Sequence, residues 1–172
     1  MKNHGKTKAF GKYMQSIYGI GQNWEFTPSL DDPKEYRAAA LVNDKPYFLS
    51  GLGDGFRFAA SILGYAICND NTSLLVEEIE CNQHPGALKG MLKALIKLCL
   101  ENNLQLFLTS HSKEVEETIF LDIFGEDPEQ RERVFRCYFV NRNSKTGVID
   151  CKRVKTEENP ADWDKVNKAL WS

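Results

Sequence analysis

The chain lacks an excess of charge of either sign, any close pair of cysteines and any long apolar run, and each lack excludes a class of protein. Lys and Arg number 22 against 24 Asp and Glu, a net charge of -2, so no whole-chain basicity points to nucleic acid or an anionic membrane. The apolar runs fall far short of the roughly 18 residues that a membrane span needs. No apolar core of a signal peptide follows Met1-Lys2-Asn3-His4-Gly5-Lys6. The five cysteines (Cys68, Cys81, Cys99, Cys137, Cys151) are an odd number, widely spaced, with no Cys-x-x-Cys pair. Structural zinc sites usually show close ligand pairs, and disulfide scaffolds are shorter and secreted. Reduced thiols, mostly in core positions, and a cytoplasmic location are therefore expected.

What is present is an ordinary globular balance. Hydrophobic residues make up 42% and charged residues 27% of 172, enough to bury a core in one domain. Residues 1–24 carry Lys2, Lys6, Lys8 and Lys12 in a weakly helical pattern that ends at Gly19 and Gly21. Residues 25–36, with Pro28, Asp31, Asp32 and Pro33, read as a loop. Strands Tyr36–Val42 and Tyr47–Leu49 then form a hairpin about Asn43-Asp44-Lys45-Pro46.

From Gly51 the pattern alternates between helix and strand. Phe56–Cys68 places Phe56, Ala59, Ala60, Leu63 and Ile67 at helical spacing. Ser73–Val76 and Leu104–Thr109 are short continuous apolar runs of the buried-strand type. Between them, Pro85 opens a helix with Leu88, Leu92, Leu95 and Cys99 on one face, ended by Asn102-Asn103. A helix between two buried strands is the crossover of a parallel α/β sheet. Ser112 can cap a further helix, Lys113–Phe124, stopped by Gly125. A charged loop, Glu126–Arg133, precedes a second hairpin of Val134–Val140 and Val148–Val154, and a closing helix runs from Asn159-Pro160 to about Trp171. The fold class expected is α/β, parallel strands with crossover helices flanked by antiparallel hairpins.

Four short elements carry chemistry through their order. Gly51-Leu52-Gly53-Asp54-Gly55 stands between a strand and a helix, where glycines let backbone approach a ligand and the helix N-terminus attracts an anion; a plain turn is the alternative. Leu74-Leu75-Val76-Glu77-Glu78 is a strand running into acids, with Glu80 two residues on. Carboxyl ends of parallel strands face the ligand crevice, and acids there can hold Mg²⁺ or polarise a water; a solvated strand end is the alternative. Cys81-Asn82-Gln83-His84-Pro85 is a polar turn before a helix, and Thr109-Ser110-His111-Ser112 ends the second strand in a histidine. That histidine is either a phosphate contact or a hydrogen-bonded structural residue.

Taken in sequence, these elements resemble the second half of an ABC-type ATPase head, in the AAA-type subgroup that includes the RecF-like and OLD-family ATPases. The resemblance covers about residues 36–155 and reads signature motif, Walker B, D-loop and switch histidine. It implies a partial P-loop NTPase fold: residues 1–35 as a basic N-terminal segment and residues 36–172 as the C-terminal half of the ATPase domain. It further implies that Gly53, Asp54 and Gly55 contact ATP, that Glu77 stands in place of the Mg²⁺-associated aspartate, and that Glu78 orients the attacking water. Glu80 matches the acid that follows, Asn82, His84 and Pro85 match the D-loop, and His111 matches the residue that senses the γ-phosphate.

Three departures accompany the resemblance. Gly51 holds the signature serine position, Cys81 and Gln83 differ from the usual D-loop, and no G-x-x-x-x-G-K-[ST] loop is present; Gly5-Lys6-Thr7 lacks its first glycine and preceding strand. The expectation is an ATPase half-domain that shares ATP and Mg²⁺ with a second chain, in a homodimer or with a polypeptide bearing Walker A. The other class is a catalytically inactive interaction or regulatory module. DNA enters as a partner only through the resemblance, since the residues show no basic stripe.

Overall fold

Phe10, Met14 and Ile17 recur at helical spacing, and helix α1 (His4–Tyr18) buries Met14 completely. The structure, a computed structural model, describes residues 4–28, 36–125 and 127–154. The chain divides into two compact units, 1–115 and 116–172.

In the first unit, strand β1 (Asn23–Pro28) pairs antiparallel with β2 (Tyr36–Val42), and β2 with β3 (Lys45–Phe48). Reading a loop from residue 25 missed β1. The turn residues around it dominate the sequence, whereas Trp24 and Phe26, two residues apart and so on one face, supply a strand signal only once β2 is there to pair. The hairpin turn is also tighter than four residues. Asn43 and Asp44 both take positive φ (50° and 60°), the backbone of a two-residue turn that matches strand twist, so Lys45 and Pro46 join the strand.

Helix α2 (Asp54–Cys68) turns Phe56, Ala59, Ala60, Leu63, Ala66 and Ile67 inward. Strand β4 (Ser73–Val76) leads by way of α3 (Pro85–Glu101) to β5 (Gln105–Leu108), which pairs with it in parallel, as expected of a crossover. The His84 ring caps α3, its Nδ1 accepting from the Gly86 amide at 3.3 Å, and Pro85 fills the first turn. The Asn102 side chain donates to Ala66 O at 2.7 Å, tying the end of α3 to α2.

The two parallel strands are not buried on both faces. Leu75 and Phe107 are register partners, and they stand 75% and 51% exposed. Continuous apolar composition reports burial on both faces only where a second layer covers the sheet; here the layer opposite Val76 is absent among the described residues.

Helix α4 (Lys113–Glu117) begins at the end of the first unit and passes into a π-helical stretch, Thr118–Ile123, in the second. The segment expected to be a charged loop forms helix α5 (Pro128–Val134), because Asp127 caps it by accepting from the Gln130 amide at 2.8 Å. Strands β6 (Tyr138–Arg142) and β7 (Ile149–Arg153) make the expected hairpin, starting four residues later than Val134, which α5 takes up. The closing helix expected at 159–171 lies outside the described residues. Among the described residues, no helix is long and apolar enough to cross a membrane.

The thiols sort by burial. Burial pushes Cys99 and Cys137 up to about 11, the latter with help from the Glu116 carboxylate, whereas Cys68 and Cys151 are exposed. Iodoacetamide at pH 8, followed by peptide mass mapping, is expected to label Cys68 and Cys151 first and to leave Cys99 and Cys137 last; equal labelling of all four would contradict the packing.

Candidate functional site

The acidic turn and the segment after β5 are knitted together at the carboxyl end of the parallel pair. The Thr109 amide donates to Val76 O at 3.0 Å, the Ile79 amide to Thr109 O at 3.2 Å and the Glu78 amide to Thr109 Oγ1 at 3.0 Å. Ile79 is wholly buried and anchors the turn, which leaves Glu77 and Glu78 exposed on either side of a fixed backbone. Glu78 itself takes a left-handed conformation, φ 48°, and Asn82 another, φ 58°, so the chain reverses twice between β4 and α3.

Glu80 joins this turn to the candidate switch residue. Its Oε1 accepts from the His111 backbone amide at 2.6 Å, while Oε2 is buried with no hydrogen-bond partner. Partial burial would raise the Glu80 carboxyl. Donation from its own backbone amide, that of His111 and the Ser110 hydroxyl, with the nearby His111 ring, outweighs burial and holds it below the usual carboxylate range. The His111 side chain is exposed. The Glu78 carboxylate is also engaged: Oε2 accepts from the Cys81 thiol at 3.2 Å, and this bond, followed by burial and the nearby Glu78 and Glu80 charges, raises the Cys81 thiol.

The glycine-rich turn lies against the other side of this loop. Gly53 caps α2 with φ −57°, and Asp54 begins the helix with its carboxylate 3.5 Å from the Arg57 guanidinium. A Cβ on Gly55 would stand 2.2 Å from Asn82 O, so only glycine admits this approach. Gly55 and Asn82 are thus brought together, as are Glu80 and His111. His84 is occupied in capping α3, and its exposed ring is otherwise free of the site. Gly5, Lys6 and Thr7 lie inside α1, and the Lys6 ammonium donates to Cys68 O at 3.1 Å, the C-terminal end of α2.

Sequence reasoning assigned no role to Thr109 or Tyr18 and took Cys81 and Gln83 only as departures from a pattern. Thr109 could be found from its place at the strand end. Tyr18 leaves no local signal, since its partners are 37 and 65 residues away.

Mg²⁺ bound with a nucleotide takes phosphate oxygens and waters with only one or two carboxylates. Among the described residues, no three His, Cys, Asp or Glu side chains converge to hold a metal alone. The exposed Glu77 carboxylate fits that supporting role.

Residues 56–115 match the AAA ATPase domain family, a span that contains α2 except its first two residues, both parallel strands, the acidic turn and His111. The chain is 36% identical over 64 residues to an uncharacterized protein of Methanocaldococcus jannaschii, a stretch that is 37% of this chain and 56% of that one. The chain therefore spans little more than half the length of the curated relative it matches. Its fold is similar to that of a solved SMC ATPase whose structure describes ATP-driven dimerization and DNA-stimulated activation, with a TM-score of 0.62 and 9% identity over 95% of this chain and 92% of that chain. Residues 56–115 are thus similar to part of an AAA ATPase domain, within a chain whose fold is similar to that of the SMC ATPase.

Proposed function

We propose that this chain is the half of an AAA/ABC-type ATPase domain that carries the Walker B acids, the D-loop and the switch histidine. In this reading a second polypeptide supplies the phosphate-binding loop, and ATP and Mg²⁺ lie between the two. The observation that carries the reading is the parallel pair β4–β5: its carboxyl ends gather Glu77, Glu78, Glu80 and His111, while among the described residues its outer face leaves Leu75 and Phe107 exposed. The solved SMC ATPase chain, matched over 92% of its length, is of similar size, so a chain of this extent already exists within that fold.

ATP with Mg²⁺ would supply the γ-phosphate and the charge neutralisation for phosphoryl transfer. Glu77 would face the metal through water. Glu78 would orient the attacking water through its exposed carboxylate, whose Oε2 also accepts from the Cys81 thiol. The exposed His111 ring would meet the γ-phosphate, with its backbone fixed by Glu80. Gly53, Asp54, Gly55 and Asn82 would line the nucleotide from the glycine-rich side, and His84 would act through the helix it caps.

Without Lys and loop amides to cradle phosphates, the purified chain is expected to bind Mg·ATP more weakly than about 1 mM by calorimetry. A micromolar Kd would overturn the half-domain reading. The Cys81 grip on Glu78 favours a second reading, a module that kept the fold and lost the chemistry. Glu78→Ala and His111→Ala separate the two. If both leave assembly and turnover with a Walker A-bearing partner unchanged, the module reading stands.

A further inference from the structure

Gln83 is the one turn residue whose side chain reaches back to the glycine-rich turn, and it is held there from both ends. Its Nε2 donates to Gly55 O at 2.8 Å, and its Oε1 accepts from the Tyr18 hydroxyl at 2.7 Å. The same hydroxyl lies 3.2 Å from Gly55 O, so the last residue of α1, the first turn of α2 and the turn before α3 share one closed set of bonds. Every polar atom of the Gln83 amide group is thereby oriented: the acceptor faces the phenol and a donor faces the carbonyl.

The surroundings make this more than a chance surface contact. Tyr18 packs on Phe56 with ring centroids 4.9 Å apart, and Phe56 continues to Trp24 at 6.1 Å and Trp24 to Phe10 at 4.9 Å. Burial pushes the Tyr18 phenol up to about 12 despite the lowering by Gln83, so it remains a donor throughout the neutral range. At the other end, Asn82 O abuts Gly55 so closely that no side chain fits between them. The Glu78–Gln83 turn is pinned on its far side by Thr109 and His111. Movement of the acidic turn therefore cannot leave the glycine-rich turn in place without breaking the Gln83 bonds.

We propose that Gln83 is a positioning residue that, gripped by Tyr18, locks the acidic turn Glu77–Asn82 to the glycine-rich turn Gly53–Gly55 and makes α1 part of the same rigid body. This deepens the ATPase reading and rests on it for the meaning of the two turns. The geometry also explains why the D-loop departs from its usual pattern here. A residue at position 83 with both a donor and an acceptor is needed to bridge a carbonyl and a phenol, and Tyr18 is the phenol that needs it.

The test is amide hydrogen exchange by mass spectrometry on the full chain without nucleotide, so its outcome does not depend on whether ATP binds. Gln83→Met keeps the length and removes both bonds, and Tyr18→Phe keeps the ring on Phe56 and removes the hydroxyl. Each variant is expected to raise exchange severalfold in both 54–59 and 77–83. The interior of α3 (88–99) and the denaturant midpoint should stay at the wild-type values. Gln83→Glu, which keeps the acceptor for Tyr18 but loses the donor to Gly55 O, should loosen 54–59 as Gln83→Met does. In Gln83→Met or Tyr18→Phe, exchange that rises in only one of the two turns, or rises uniformly with a fall in the midpoint, would overturn the lock. Unchanged exchange in all three variants would overturn it too. Micromolar nucleotide binding by the wild type would instead overturn the half-domain reading and leave the lock standing.

Discussion

Leu95→Ala is expected to cost about 2–5 kcal/mol, whereas Leu75→Ala changes stability by no more than about 0.5 kcal/mol. Leu95 is wholly buried on the inner face of α3, among a helix face that also buries Leu88, Met91, Leu92 and Cys99. Truncation there removes transfer free energy and leaves a cavity that α2 and α3, already packed together, close only in part. The expected result is a thermal midpoint lower by roughly 4–20 °C, read by circular dichroism. Leu75 sits in a strand of equally apolar composition but stands 75% exposed, so its truncation removes little that folding had buried. Equal losses at the two positions would show that the β4–β5 face is covered in the isolated chain, and the uncovered sheet would no longer support a missing half.

Gly55→Ala is the second large effect, expected to destabilise by about 1–3 kcal/mol. The added Cβ would meet Asn82 O at 2.2 Å, and a backbone oxygen cannot rotate aside as the tip of a side chain can. Asn82 is held in place, because the Gln83 amide donates to Glu80 O at 3.1 Å and the Gln83 side chain to Gly55 O. Alanine would improve helix propensity in the first turn of α2 by up to about 1 kcal/mol, which the clash exceeds. Gly51→Ala, four residues earlier in the same glycine-rich turn, places its Cβ in open space and should stay within about 0.5 kcal/mol of wild type. Urea denaturation of the two variants side by side tests the claim, and equal midpoints would remove the close approach between the two turns.

The alternation of helix and strand from Gly51 to His111 was legible because its signals are local. Phe56, Ala59, Ala60 and Leu63 repeat with helical period, Pro85 and Asn102 bound α3, and the apolar run of β4 stops at charged residues. Strand β1 and helix α5 were not legible. The first depends on pairing with β2, and the second on the Asp127 cap inside a segment whose charge reads as loop. The candidate site divides in the same way. Glu77, Glu78 and His111 stand out at strand ends, but the bonds of Glu80 to His111 and of Cys81 to Glu78 depend on side-chain orientation, which no spacing encodes.

The amino-acid sequence by itself determined the parallel crossover, the order of the glycine-rich turn, acidic turn, polar turn and histidine, and the lack of a phosphate-binding loop. These follow from periodicity and from residue types at element ends, and both are properties of neighbours along the chain. Only the tertiary structure decided that, among the described residues, one face of the parallel pair is left exposed. It alone decided that Gly55 is required by Asn82, and that Tyr18 and Gln83 close a bond network across the site. Burial and hydrogen bonding between residues 27 to 65 positions apart are set by how elements pack, and packing is fixed by the whole core rather than by any one segment.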